Sequence, residues 1–136
     1  MEQRTAIVIG AGIVGLATAR ALAGKGFKVK VFERSQKAVG ASIRNFGMIW
    51  PIGQPSGKLY ERALRSRSTW KQICTEANIW FSETGSMHVA HHQDELQVLH
   101  ELYDGYNKER TIALLSKEQV KDFSAAAGAN GLLGGL

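Results

Sequence analysis

The sequence predicts an α/β protein opening on a parallel β-α-β unit, and three observations carry that prediction. Thr5-Ala6-Ile7-Val8-Ile9 is a short apolar, β-branched run, Gly10-Ala11-Gly12-Ile13-Val14-Gly15 follows it at once, and residues 28–33 alternate charged and apolar side chains up to Glu33. A continuous apolar run suits a strand buried on both faces, whereas alternation with period two suits a strand with one wet face. Between the two strands, Leu16, Ala17, Ala19, Ala21, Leu22 and Ala23 read as a small-residue helix that Gly24 and Gly26 end.

Beyond the second strand, residues 39–57 carry Gly40, Gly47, Gly53, Gly57, Pro51 and Pro55, the composition of a long functional loop. Ser56 is placed to cap a helix whose Leu59, Ala63, Trp70, Ile73, Cys74 and Ala77 share one face, which puts Cys74 in the core. Residues 86–90 predict a strand, Leu96, Leu99, Leu102, Tyr103 and Tyr106 an amphipathic helix, and residues 111–115 another short strand. Ser116-Lys117-Glu118-Gln119 fits a capping box that opens a helix through Val120 and Phe123. Residues 125–136 show neither period nor terminator.

The 136 residues are one domain's worth of chain, short for an enzyme with separate cofactor and substrate lobes. Hydrophobic residues at 44% and charged residues at 21% exclude global disorder. Cys74 is the single cysteine, so no intramolecular disulfide forms and a reducing cytoplasm is the expected location. Ala6 to Ala19 followed by Ala21-Leu22-Ala23 superficially resembles a signal peptide, but Glu2, Arg20 and the glycine spacing argue against one. No run reaches the about 18 apolar residues of a membrane span, so no membrane partner is expected.

Charge is unevenly distributed: residues 1–71 hold 13 Lys/Arg against 3 Asp/Glu, and residues 72–136 hold 4 against 9. The basic front favours an anionic partner. Arg62, Arg65 and Arg67 have no aromatic platform between them, so they read as a solvated face and no nucleic acid is expected. His88, His91, His92 and His100, with Asp94 and Glu95, match no familiar zinc spacing, and no metal is expected.

The glycine hexapeptide acquires meaning from its setting of strand, helix, second strand and terminal acid. Gly10 permits the tight turn, Gly12 lets a pyrophosphate approach the backbone, and Gly15 lets helix and strand pack closely. The amides of the helix N-terminus, around Ile13 and Val14, supply donors and a favourable dipole for phosphates. Glu33 can accept hydrogen bonds from ribose hydroxyls, and its neighbour Arg34 joins the same cofactor-binding set. Taken alone, this fingerprint serves FAD and NAD equally.

Gly40-Ala41-Ser42-Ile43-Arg44-Asn45-Phe46-Gly47-Met48 separates the two cofactors, because fingerprint and segment together resemble the FAD-dependent oxidoreductases of the glycine oxidase and D-amino acid oxidase superfamily. The resemblance implies a Rossmann-like FAD/NAD(P)-binding domain with FAD as cofactor. It places Ser42 at the phosphate–ribityl region and Asn45, Gly47 and Met48 beside the isoalloxazine ring. Trp50-Pro51-Ile52-Gly53-Gln54-Pro55 and Glu83-Thr84-Gly85-Ser86-Met87-His88 look like a narrower subgroup associated with aminophosphonate breakdown.

On that resemblance, residues 1–80 form the FAD-binding unit with its flavin-contacting loop and following helix. Residues 81–136 begin an α+β substrate-domain excursion, and the chain is an N-terminal, incomplete fragment. The implied full-length reaction is oxidation of a small amine or amino acid by hydride transfer to flavin, with catalytic residues lying beyond Leu136. The fragment alone is expected to be inactive and to self-associate through exposed strand edges. Arg44 either contacts an anionic substrate or serves the loop, Glu33 or a flavin phosphate. The rival readings are an NAD-dependent dehydrogenase, which leaves residues 40–48 unexplained, and a catalytically silent dinucleotide-binding fragment.

Overall fold

A computed structural model of the chain describes residues 4–128 and 130–136; Glu2, and Ala129 of the aperiodic tail, lie outside the described residues. The chain forms two compact units, Met1–Trp70 and Lys71–Leu136.

In the first unit, β1 (Thr5–Ile9) and β2 (Lys28–Phe32) pair in parallel, with Thr5 opposite Lys28 and Ile9 opposite Phe32. They are joined by α1 (Ile13–Gly24), so the predicted β-α-β unit is present. Helix α1 ends where Gly26 adopts φ +83°, donating its N–H to the Ala23 carbonyl at 2.9 Å. A left-handed residue beyond the last turn satisfies carbonyls that the helix leaves open, and glycine adopts it without a Cβ penalty.

The expectation that β1 is buried on both faces is corrected. Val8 is 8% exposed, but Ile7 and Ile9 are 64% and 87% exposed. The physical reason lies in alternation: Val8 Cγ1 faces α1 across Gly15, whereas Ile7 and Ile9 point to the opposite face.

After β2 the chain forms a 3-10 turn at Ala41–Arg44 inside the long loop. Trp50 folds over Gly53, where an added Cβ would sit 3.1 Å from the indole. Helix α2 (Lys58–Glu76) begins two residues after Ser56; in its first turn Tyr60 N–H donates to the Pro55 carbonyl at 3.2 Å and Glu61 N–H to the Gly57 carbonyl at 3.0 Å. Cys74 is buried, as its place on the apolar stripe requires, while Leu59 and Ala77 are exposed. Two residues past the helix end, Asn78 lies in the left-handed region at φ 51°, and Ile79 N–H returns to the Cys74 carbonyl.

The second unit carries a three-stranded antiparallel sheet in the order β3-β5-β4, from Val89–Ala90, Gly134–Gly135 and Leu115–Ser116. Helices α3 (Gln93–Tyr106) and α4 (Lys117–Phe123) complete it. Ala90, Leu99 and Leu136 form its core, with Leu96, Leu102, Tyr103, Ile112 and Leu114 packed around them. The Ser116 capping box forms as expected: Gln119 N–H donates to Ser116 Oγ, and Ser116 N–H donates to Gln119 Oε1.

Two strand predictions shrink to their last residues. Residues 86–90 contribute only Val89–Ala90 to the sheet, and residues 111–115 only Leu115, which pairs on into Ser116. The central strand β5 falls in the aperiodic tail, where no element was expected. Its glycines have a packing reason: a Cβ at Gly135 would lie 2.8 Å from both the His88 carbonyl oxygen and Val120 Cγ2, and one at Gly134 would lie 2.9 Å from the Leu115 carbonyl oxygen.

Candidate dinucleotide site

The site is built where β1 hands over to α1. Gly10 takes φ +99°, a conformation that favours glycine, and its N–H donates to the Phe32 carbonyl at 2.7 Å, tying the turn to the end of β2. Gly15 packs against that turn so closely that an added Cβ would fall 1.9 Å from the Gly10 carbonyl oxygen. Gly12 precedes the helix in extended backbone at φ −69°, ψ 174°, and a Cβ there would meet Ser42 Oγ at 3.3 Å.

Glu33 follows β2 directly and turns back onto the glycine loop. Its Oε2 accepts Ala11 N–H at 2.9 Å and its Oε1 accepts Ser35 N–H at 3.1 Å. These bonds, the Ala11 one first, hold its carboxyl below the ordinary value of 4.5, and the neighbouring Arg34 charge adds to the effect. Ser42, on the 3-10 turn, accepts Ile13 N–H at 2.9 Å, which docks that turn on the N-terminus of α1.

Gly12, Glu33, Arg34, Ala38, Val39, Gly40, Ala41, Ser42 and Arg44 line one cleft of about 700 Å³. Of the residues predicted from sequence, the cleft gathers Gly12, Glu33, Arg34 and Ser42. Gly10, Ile13 and Gly15 do not line it: Gly10 and Gly15 pack against each other in the turn before α1, and the Ile13 amide is held by Ser42. Val14, Asn45, Gly47 and Met48 do not line it and are exposed. Residues 38–41 were absent from the predicted set. Their signal was weak, because they line the cleft through position rather than distinctive side chains, although Gly40 opened the second glycine segment.

The cleft fits a dinucleotide on its own geometry. One carboxylate residue and two arginines line a space of ligand size beside the start of α1, and Gly12 keeps the backbone approach open.

In the second unit the histidines serve other ends. Glu95 Oε2 accepts the N–H groups of His91 and His92 at the start of α3, and His91 Nδ1 lies 3.2 Å from the Asn130 carbonyl oxygen. Among the described residues no three His, Cys, Asp or Glu side chains are grouped to hold a metal ion, and no helix is long and apolar enough to cross a membrane.

Comparison with known proteins agrees with this geometry. Over 55 residues, 39% of this chain, the sequence is 49% identical to a probable 2-heptyl-3-hydroxy-4(1H)-quinolone synthase of Rhodococcus erythropolis. Over 60 residues, 44% of this chain, it is 42% identical to the bifunctional tRNA 5-methylaminomethyl-2-thiouridine biosynthesis protein of Stutzerimonas stutzeri (strain A1501). The matched stretches span only 13% and 8% of those two relatives' lengths. The profile of the FAD dependent oxidoreductase family matches residues 5–136, nearly the whole chain. The chain therefore belongs to the FAD dependent oxidoreductase family, and its cofactor is FAD rather than NAD.

Proposed function

We propose that this chain is the cofactor-binding part of an oxidoreductase that oxidises a small amine or amino acid, an aminophosphonate among the candidates. The observation that carries the reading is the cleft at the start of α1, where Glu33, Ser42 and the glycine turn are tied to one another. Bound FAD supplies the hydride acceptor at its ring. The chain's own part is positional. The glycine turn, held by Glu33, lets the phosphates approach the backbone at Gly12 beside the N-terminus of α1. The 3-10 turn, held by Ser42, sets where Asn45, Gly47 and Met48 enter the chain beyond it. Residues 81–136 contribute the first strands and helices of the substrate-binding part.

Amine chemistry is supported by the resemblance to amine-oxidising flavoproteins and by one relative, the bifunctional tRNA-modification protein, whose name carries a methylaminomethyl group. The aminophosphonate reading is supported by residues 50–55 and 83–88 and by the basic balance of residues 1–71. An oxidoreductase that carries this chain as its cofactor-binding part, once purified, should show a flavin absorption spectrum, and anaerobic addition of 2-aminoethylphosphonate or glycine should bleach it. A flavin spectrum that no amine bleaches would contradict the amine reading while leaving FAD in place.

A further inference from the structure

We propose that Arg44 is a ligand of the cofactor's phosphates and does not bind the substrate's anionic group. The inference rests on the reading of the cleft as the FAD site and extends it to a residue whose role the sequence left open between substrate and cofactor.

Placement comes first. Arg44 ends the 3-10 turn Ala41–Arg44, and that turn is docked on the first helical amide of α1 by Ser42 Oγ. Arg44 consequently lines the same cleft as Gly12, Glu33 and Arg34. Asn45, the next residue, does not line it, nor do Gly47 and Met48. The chain thus divides between Arg44 and Asn45, with Arg44 on the side of the helix terminus.

Charge decides what Arg44 can serve there. The cleft holds two guanidinium groups and one carboxylate, and both oxygens of that carboxylate already accept backbone N–H groups. Among the described residues neither Arg34 nor Arg44 has a carboxylate within ion-pair distance. The positive end of α1 adds to the same sign. A cleft with this excess calls for an anion, and a dinucleotide pyrophosphate carries two negative charges that a guanidinium fork can hold bidentately.

The test is calorimetric titration of the purified chain with ADP, which carries the pyrophosphate without the flavin ring, for wild type, Arg44→Ala and Arg44→Lys at matched circular dichroism. Arg44→Ala should weaken ADP binding about tenfold or more, the loss expected for one charge-assisted contact, with Arg44→Lys between the two. The salt dependence of ADP affinity should be shallower in Arg44→Ala. If that variant loses its fold, Arg44→Gln takes its place and carries the same expectation.

Equal ADP affinity in a folded variant lacking the charge would overturn the inference and leave the FAD reading standing. So would loss of 2-aminoethylphosphonate binding with ADP binding intact. A wild-type chain that binds neither ADP nor FAD would overturn the FAD reading and the inference with it.

Discussion

Gly15→Ala should destabilise the first unit, although alanine is the better helix former. A Cβ at Gly15 would stand 1.9 Å from the Gly10 carbonyl oxygen and 3.0 Å from its carbon, and both obstacles are backbone. Helix α1 and the glycine turn must part by about 1.5 Å to restore ordinary van der Waals spacing. Helix propensity favours alanine by about 1 kcal/mol, but a clash this close with backbone falls at the upper end of the overpacking cost, about 3 kcal/mol, so a net loss of about 2 kcal/mol is expected. Gly24→Ala in the same helix provides the control: nothing lies within 4 Å of its Cβ position, so propensity acts unopposed and stability should hold or rise. Urea denaturation followed by circular dichroism reads both variants. A Gly15→Ala midpoint equal to or above wild type would refute the close approach of helix and turn.

Glu33 should give the first unit an acid-sensitive turn. Because its folded-state carboxyl is held low by the Ala11 and Ser35 amides, its contribution is fully present above 4.5 and is lost as pH falls through the lower folded value. The Ala11 amide resonance should move in that acid range in wild type and stay flat in Glu33→Gln. In the second unit, Gly135→Ala should cost about 1–3 kcal/mol, since its Cβ meets a backbone carbonyl on one side and Val120 on the other. Gly105→Ala, with open space around it, should be tolerated in the same denaturation assay. Cys74, buried on α2, should react with a thiol reagent only as fast as the protein opens, so mild urea should accelerate its labelling.

The parts legible in the sequence were those in which local chemistry and tertiary need agree. The glycine turn, α1 and β2 follow from positive φ at Gly10, close packing at Gly15 and alternation in residues 28–33. The Ser116–Gln119 box marks α4 because both partners are side chains within one turn. β5 was illegible because glycine is a poor strand residue; what selects Gly134 and Gly135 is crowding from His88, Leu115 and Val120, distant in sequence. The exposure of Ile7 and Ile9 was missed for a related reason: an apolar run records that a face can be buried, not that a neighbour covers it. At the site, Glu33 and Ser42 were read as ligand contacts, and the sequence contained no sign that both also bond the backbone of the glycine turn. Arg44 illustrates the reverse, a side chain whose charge was evident and whose cleft was not.

The central claim is that FAD is held at the start of α1, and the most direct measurement is flavin binding to wild type and Gly12→Val at matched folded protein. Gly12 lies in extended backbone that valine adopts without strain, so the added side chain acts through space: it meets Ser42 Oγ and fills the cleft beside the helix amides. The account predicts that FAD quenches its fluorescence on titration into wild type, that ADP competes, and that Gly12→Val loses the binding while keeping its circular dichroism. Unchanged FAD binding in a folded Gly12→Val would contradict it.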